Sequence, residues 1–402
     1  MRLLFENEIA FTASIKNESQ YIDEWLQYHH QIGVDKFYIY DNDSEDRSEL
    51  EKLLEPWVRN KIVELETIHG RAMQNPAYND SLNRHRFDCR YMGFFDIDEF
   101  VFVKTGQTFL EFLDELFSMD SNINGLGIVM RNFGSSGKKY HEPGDVIDRF
   151  VLRQRDSSEN GISMKSISNP RFVEMLLSVH YPSHYAGKFS ANEDGLPLKE
   201  ELYAGYNTTK KIQLNHYIIK SREEYDSKSK RGPGTGEDFD REAKFRMFDV
   251  NEFEDRGLLE LWHEIRNRPM RPNLKTADDV LKNVVTMLED SDLSVEKYLS
   301  CLVLSTKLEN VSGNDREFLQ NLSLDGLLKS IKAGIGLSEA LMLVDFIPEI
   351  VSKKNDVSKK ILLEVSKNIP QLVDFYREVR IWDFCHHLEI KYKMLQSIFN
   401  GW

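Results

Sequence analysis

Asp96 and Asp98 stand one residue apart at the end of the apolar run Tyr91-Met92-Gly93-Phe94-Phe95, and Glu99-Phe100-Val101-Phe102-Val103 follows them. Acids flanked by apolar residues on both sides mark the exit from a buried strand. Burying that many acidic oxygens is costly unless positive charge meets them. A hard divalent cation, Mg2+ or Mn2+, suits the purpose, because it takes carboxylate and water oxygens and often a substrate phosphate as well. The chemistry expected here is therefore a metal shared with a diphosphate. An acidic turn that only ends a strand is the competing reading.

Elements that would hold such acids at a sheet edge are readable on either side. Ile9 to Ile15 reads as a strand ending in Lys16-Asn17-Glu18-Ser19. Tyr21, Ile22, Trp25, Leu26 and His29 then recur at helical spacing, and Gly33 stops that helix. Lys36 to Tyr40 is a second strand, followed by the turn and cap residues Asp41 to Asp46. A helix through Leu50, Leu53, Leu54 and Trp57, a strand over Lys61 to Thr67, a helix over Asn79 to Arg90 and the strand into Asp96 complete the series. Alternation of this kind predicts an α/β fold with a mixed, mostly parallel sheet. Ligands in such sheets sit beyond the carboxyl ends of the strands. Three polar clusters fall at such ends: Lys16–Ser19, Asp41–Asp46 and Asp96–Glu99.

Later segments are less regular. Gly125 to Met130 and Lys210 to His216 read as strands, and the loop Arg131 to Gly137 is small enough for a ligand to approach its backbone. Arg268-Pro269-Met270-Arg271-Pro272 reads as a linker. Helical patterns follow at Val280–Leu288, Val295–Lys307, Ser338–Val351, Val357–Asn368 and Val373–Phe399. Two domains are expected, residues 1–267 carrying the chemistry and residues 268–402 forming an all-helical accessory domain, whose amphipathic stripes predict self-association or recruitment of another enzyme of the same pathway.

Composition removes several function classes. The 402 residues exceed one ordinary core. A net charge of −14 argues against a general nucleic-acid binder, though not against one nucleotide in a local pocket. Cys89, Cys301 and Cys385 are too few and too scattered for a zinc or disulfide framework, and they fit a reducing compartment. Met1 to Glu8 has two acids and no apolar core, so no signal peptide is expected. The apolar stretch Ile335 to Val351 is broken by Glu339, Asp345 and Glu349, so no membrane-spanning segment is expected either. The expected location is cytoplasmic, with peripheral docking at the inner membrane through a partner.

Five segments together resemble glycosyltransferase family 92 and its bacterial relatives, which lie close to the large family 2 group. They are Ala13-Ser14-Ile15-Lys16-Asn17-Glu18, Glu24-Trp25-Leu26-Gln27-Tyr28-His29, Gly33-Val34, Tyr38-Ile39-Tyr40-Asp41-Asn42-Asp43-Ser44 and Phe95-Asp96-Ile97-Asp98-Glu99-Phe100. Asn132 to Gly137 and Asn215-His216-Tyr217 through Arg231-Gly232 look like later blocks of the family. The resemblance covers roughly residues 8 to 235 and leaves the helical tail outside. It implies a GT-A (Rossmann-like) fold, a nucleotide-diphosphate sugar donor with UDP as the first choice, a glycan or glycoconjugate acceptor, a divalent metal held by the Asp-x-Asp motif, and inversion at the anomeric carbon.

Carried residue by residue, the resemblance makes Asp98 the direct metal ligand and gives Asp96 the ribose or the metal through water. Asp41 and Asp43 would meet the base or ribose, with Lys16 and Glu18 completing that pocket or simply starting a helix. Arg84 or Arg86 would approach the diphosphate or be an ordinary surface arginine. His216 would complete the metal site or be an ordinary hydrogen-bonded histidine. By their charge, Lys228, Lys230 and Arg231 would close over the diphosphate or form an ordinary solvated charge run. A general base is needed to take the acceptor proton; Glu237, Asp238, Glu174 and Asp194 are the candidates, and Asp238 is the one named for the role. The expected activity is extension of a cell-surface or capsular glycan. Two alternatives remain. A haloacid dehalogenase-type phosphatase also carries Asp-x-Asp but wants Thr or Val where Phe100 stands, and a non-catalytic scaffold has no need of intact Asp96 and Asp98.

Overall fold

The computed structural model describes residues 5, 7–156, 163–198, 208–230, 240–272, 277–289, 293–307 and 311–336, with 338–339, 342–343, 345–346, 360–361, 364–365 and 367 beyond them. The chain divides into two compact units. One comprises Asn7–Ser183 with Phe189–Leu274, the other Met1–Glu6, His184–Lys188 and Lys275–Trp402.

In the first unit the element order is β1 (Asn7–Ile15), α1 (Ser19–Gln31), β2 (Lys36–Asp41), α2 (Arg47–Arg59), β3 (Val63–Thr67), α3 (Gln74–His85), β4 (Cys89–Phe94), β5 (Glu99–Val103), α4 (Phe109–Met119) and β6 (Ile123–Asn132). There follow α5 (Val146–Arg149), β7 (Leu152–Arg153), β8 (Met164–Ser168), β9 (Val173–Leu176), β10 (Pro182–His184), β11 (Phe189–Ala191) and β12 (Ile212–His216). The helices α6 (Arg222–Lys230), α7 (Arg241–Phe248) and α8 (Gly257–Ile265) close the unit, with β13 (Phe253–Glu254) before α8. The main sheet runs β3-β2-β1-β4-β8-β6-β12-β5, and β11 adds to β6. Parallel pairing joins β1 to β2 and β4, β2 to β3, and β6 to β11 and β12; β8 runs antiparallel to β4 and β6, and β5 to β12. This is the mixed, mostly parallel α/β architecture that the alternating pattern predicts.

Because β2 and β4 pair parallel to β1 on its opposite sides, the loops leaving all three strands emerge at the same sheet edge, where ligands of such sheets bind. One face of the sheet is covered by α1, which buries Ile22, Trp25, Leu26 and His29 against Phe11, Phe37, Phe95 and Phe100. Gly93 is required inside β4, since a Cβ there would collide with the rings of Phe95 and Phe11.

Three local expectations change. The third helix spans Gln74–His85 instead of Asn79–Arg90. Pro76 falls in its first turn, where a missing N–H does no harm, and no side chain caps its start, so the sequence carried no marker for it. Gly134 admits the protein's own Val250 carbonyl and Asn251 side chain to the place a Cβ would fill, so that part of the loop is not open to a ligand. Arg268 to Pro272, read as a linker, is tied to α1: Arg271 donates from its guanidinium to the carbonyls of His30 (2.6 Å) and Val34 (2.8 Å).

In the second unit α9 (Ala277–Glu289), α10 (Val295–Lys307) and α11 (Gly313–Ala333) pack around Val284, Cys301, Leu304 and Leu319. Gly326 lets α11 lie against the Tyr298 ring of α10. The helices expected after Ser338 fall largely outside the described residues. Among the described residues, no helix is long and apolar enough to cross a membrane.

Candidate functional site

Asp96 to Glu99 form a tight turn between β4 and β5. The Glu99 amide donates to the Asp96 carbonyl (3.0 Å), and the Glu99 carboxylate accepts from the Asp96 amide (2.9 Å). Antiparallel pairing with β12 sets Glu99 opposite His216, and the Tyr217 amide donates to the Asp98 carbonyl (2.8 Å). From the other side α1 pins β5. Trp25 Nε1 donates to the Glu99 carbonyl (2.9 Å) and Tyr28 Oη to the Val101 carbonyl (2.7 Å), while His29 Nε2 accepts from the Val101 amide (3.2 Å). Burial holds His29 neutral, with its pKa driven down to about 3. The Trp25-to-His29 motif is thus the clamp on the acid-bearing strand.

Three lysines converge on the acids. Asp96 Oδ1 accepts from Lys165 Nζ (3.1 Å), from Tyr78 Oη (3.0 Å) and from Gln74 Nε2. Lys165 is fully buried and also lies 3.7 Å from Glu99 Oε2. Asp98 Oδ2 accepts from Lys228 Nζ, and Lys220 Nζ is 3.7 Å away. Burial alone would raise the pKa of both aspartates; Lys165 for Asp96, and Lys228 with Lys220 for Asp98, outweigh it and hold both carboxyls below their usual range. For Glu99 burial wins over Lys165 and pushes the carboxyl well up. Lys220 is pulled down to about 8 by burial, against the attraction of Asp98.

The far side of Asp98 differs. Its Oδ1 is buried without a hydrogen-bond partner and faces His216 Nε2 at 3.7 Å. His216 Nδ1 meets Asn132 Oδ1 at 2.9 Å, and Asn132 Nδ2 donates to Gln154 Oε1 at 3.1 Å. That chain fixes the amide and places the imidazole proton on Nδ1. Burial keeps the ring neutral, with a pKa near 4. Two lone pairs therefore face each other with no proton between them, and a cation or a ligand donor would relieve both. The donor set fits Mg2+ or Mn2+, which take few protein ligands and fill the rest with water and phosphate. Among the described residues no group of three or more His, Cys, Asp or Glu side chains is placed to hold a metal, so Asp98 and His216 would be the protein's share. Glu99 Oε1 is a second buried oxygen without a partner.

Other expected residues lie elsewhere. Asp41 is buried on Arg47 (2.8 Å) and accepts the Ser44 amide (3.3 Å), so it holds its turn. Asp43, at φ 57°, pairs with His69 Nδ1 (2.6 Å), which holds its carboxyl below the usual range. Glu18 is buried at the start of α1 without capping it; the Ser19 amide donates instead to Asp46 Oδ2 (3.0 Å), and the Asn17 amide to Ser44 Oγ (2.9 Å). Lys16, half-buried, stands in the same laced pair of loops. Arg84 is engaged by Glu66 (2.8 Å), Glu64 (3.4 Å) and Asp80 (3.5 Å), and Arg86 donates to the Val173 carbonyl (3.0 Å). Neither arginine joins the acid cluster, because α3 starts five residues earlier than expected and presents Gln74 and Tyr78 there. Asp194 is paired with Lys211 (2.7 Å) and Glu174 lies on β9. Asp238, Glu237 and Arg231 lie outside the described residues, as does the Lys230 side chain. Sequence reasoning missed Lys165, Lys220, Tyr78, Gln74 and Asn132. For Lys165 one signal was present, a lone lysine in the otherwise uncharged Met164–Ser168 strand.

The model of glycosyltransferase family 92 matches residues 12–256. A glycosyltransferase family 92 protein of Ricinus communis is 26% identical over 239 residues, 57% of this chain and 42% of that protein. A galactan β-1,4-galactosyltransferase of Arabidopsis thaliana is 30% identical over 227 residues, 50% of this chain and 42% of its own length. The chain thus spans about two-fifths of the length of these curated relatives. Among solved structures, TarS of S. aureus aligns over 96% of this chain and 91% of its own at 9% identity, with a TM-score of 0.27.

Proposed function

Because this chain belongs to glycosyltransferase family 92, we propose that its acid-and-lysine cluster receives the diphosphate of a nucleotide-sugar donor, with UDP the first nucleotide to test, in a GT-A-type domain. The sugar passes to a glycan or glycoconjugate hydroxyl, with inversion. The observation that carries this reading is the facing pair of unprotonated acceptors, Asp98 Oδ1 and His216 Nε2. A transferase needs positive charge where its leaving group builds negative charge. Asp98 and His216 would hold a Mg2+ or Mn2+ ion, which would supply a Lewis acid for the departing diphosphate. The chain's own part is to hold the acids in place. Lys165, Tyr78 and Gln74 orient Asp96; Asn132 fixes the His216 tautomer; Trp25, Tyr28 and His29 fix β5. Family membership favours transfer over the phosphatase alternative.

Galactan galactosyltransferases among the relatives make a galactose donor and a β-1,4-linked galactan acceptor the first pair to assay. Thermal unfolding with UDP and Mn2+, each alone and together, tests the reading. Joint addition at one hundred times Kd should stabilise the chain by about 2.7 kcal/mol. No shift with any nucleoside diphosphate plus metal would remove it.

A further inference from the structure

The α6 helix has two working sides. Lys228 reaches Asp98 from one, while Asp226 and Ser227 line a cleft of about 740 Å³ on the other. The loop that follows β6 forms the facing wall with Ser135, Gly137 and Tyr140. The same two segments also supply the acid site, since Asn132 at the end of β6 orients His216. The cleft floor holds Phe245, with the Arg222 guanidinium 4.7 Å over its ring. Tyr140, at 73% exposed, is the most exposed large side chain with apolar character among the described residues. An aromatic ring at a cleft rim offers a flat apolar face on which a ligand can stack, with a hydroxyl at its edge.

Charge decides what kind of ligand fits. Arg222 is paired with Asp226 (3.1 Å) and Glu242 (2.8 Å), and Lys138 with Glu142. Asp249 accepts from the Ser135 amide (2.8 Å) and Glu223 from the His141 amide (2.8 Å). Lys139 adds one further positive charge to the wall. An anionic ligand would have to take Arg222 from two carboxylates and would meet Asp226, Glu223 and Asp249. A neutral ligand with hydroxyls for these polar groups and a C–H face for an aromatic ring meets no such penalty.

We infer that this cleft binds a neutral oligosaccharide, with Tyr140 as its stacking platform, and that it serves the acceptor chain of the transferase reading on which the inference rests. The test uses the full chain and saturation-transfer NMR titrations with neutral tetrasaccharides of β-1,4-linked galactose, glucose and mannose, and with a galacturonic acid tetramer as the charged counterpart. At least one neutral tetramer should bind, and Tyr140→Ala should weaken it by on the order of tenfold. Tyr140→Phe should restore it. The thermal shift with UDP and Mn2+ should be the same in all three chains. Equal binding by the wild type and Tyr140→Ala, preference for the galacturonate tetramer, or no binding of any neutral tetramer overturns the assignment. Loss of the nucleotide shift in every chain would strike the donor reading alone and leave the cleft result standing.

Discussion

Two clusters of buried charge share the segment from Lys220 to Lys228 and follow opposite rules. In the first, Glu224 is gripped by Arg149 through two bonds (2.9 and 3.0 Å), by Tyr21 Oη (3.0 Å) and by the Ser221 amide (3.1 Å). Both carboxylate oxygens are satisfied, and although burial pushes the carboxyl up, Arg149 and Ser221 bring it down to about 2. In the second, three lysines surround three acids, yet Asp98 Oδ1 and Glu99 Oε1 have no hydrogen-bond partner. A satisfied buried pair fixes a fold. A buried cluster with polar atoms left over still has hydrogen-bonding capacity that the fold does not use.

The largest expected effect falls on the satisfied cluster. Arg149→Met leaves Glu224 buried without its cation and should cost about 3–5 kcal/mol in urea unfolding. A loss no larger than that of a surface substitution would erase the distinction. Next is Asp98→Asn, which should lower donor turnover on the order of 10²- to 10³-fold and shift the unfolding midpoint less than Arg149→Met does. Unchanged turnover would refute the metal assignment. Asn132→Ala acts one step back. Freed from its partner, His216 can rotate and change tautomer, and Mn2+ affinity read by calorimetry should fall roughly 10- to 100-fold with little change in stability.

The smallest effect is in pH dependence, and Glu24 sharpens the contrast. Its carboxylate accepts the amides of Val146 (2.8 Å) and Ile147 (2.9 Å) but has no cation bound to it, and burial raises its pKa to about 7. A raised carboxyl contributes stability that is full below its ordinary pKa of 4.5 and is lost as pH rises through 7. Glu224 is depressed, so its contribution is present above 4.5 and is lost as pH falls toward 2. Urea midpoints against pH should show both limbs, each limited to about 1.4 kcal/mol per pH unit for one proton. Glu24→Gln should flatten only the limb between pH 4.5 and 7. A limb that survives this change belongs to another group.

Much of the fold was legible because its periodicity is local. From β1 through β4 each strand and helix was readable, and only α3 was displaced, since nothing in its sequence marks an uncapped start. The acids at the end of β4 were legible for the same reason: a strand pattern that stops on Asp-x-Asp shows itself within a few residues. Less of the candidate site could be read. Arg84 had the right charge at a reasonable spacing, but the helix register turned it onto Glu64 and Glu66. Lys165 arrives on β8, a strand whose place between β4 and β6 no local pattern announces.

Sequence by itself determined the alternating α/β order, the carboxyl-end position of Asp96 and Asp98, and the family, because each is written in neighbours along the chain. Tertiary structure alone decided which charges meet those acids. Lys165, Lys220, Lys228 and His216 lie between 67 and 130 residues from Asp98 in sequence, and only strand order and helix placement bring them to it. The same folding leaves one oxygen of Asp98 facing an imidazole lone pair. That juxtaposition arises from the pairing of β12 with β5 and β6, which no single segment encodes.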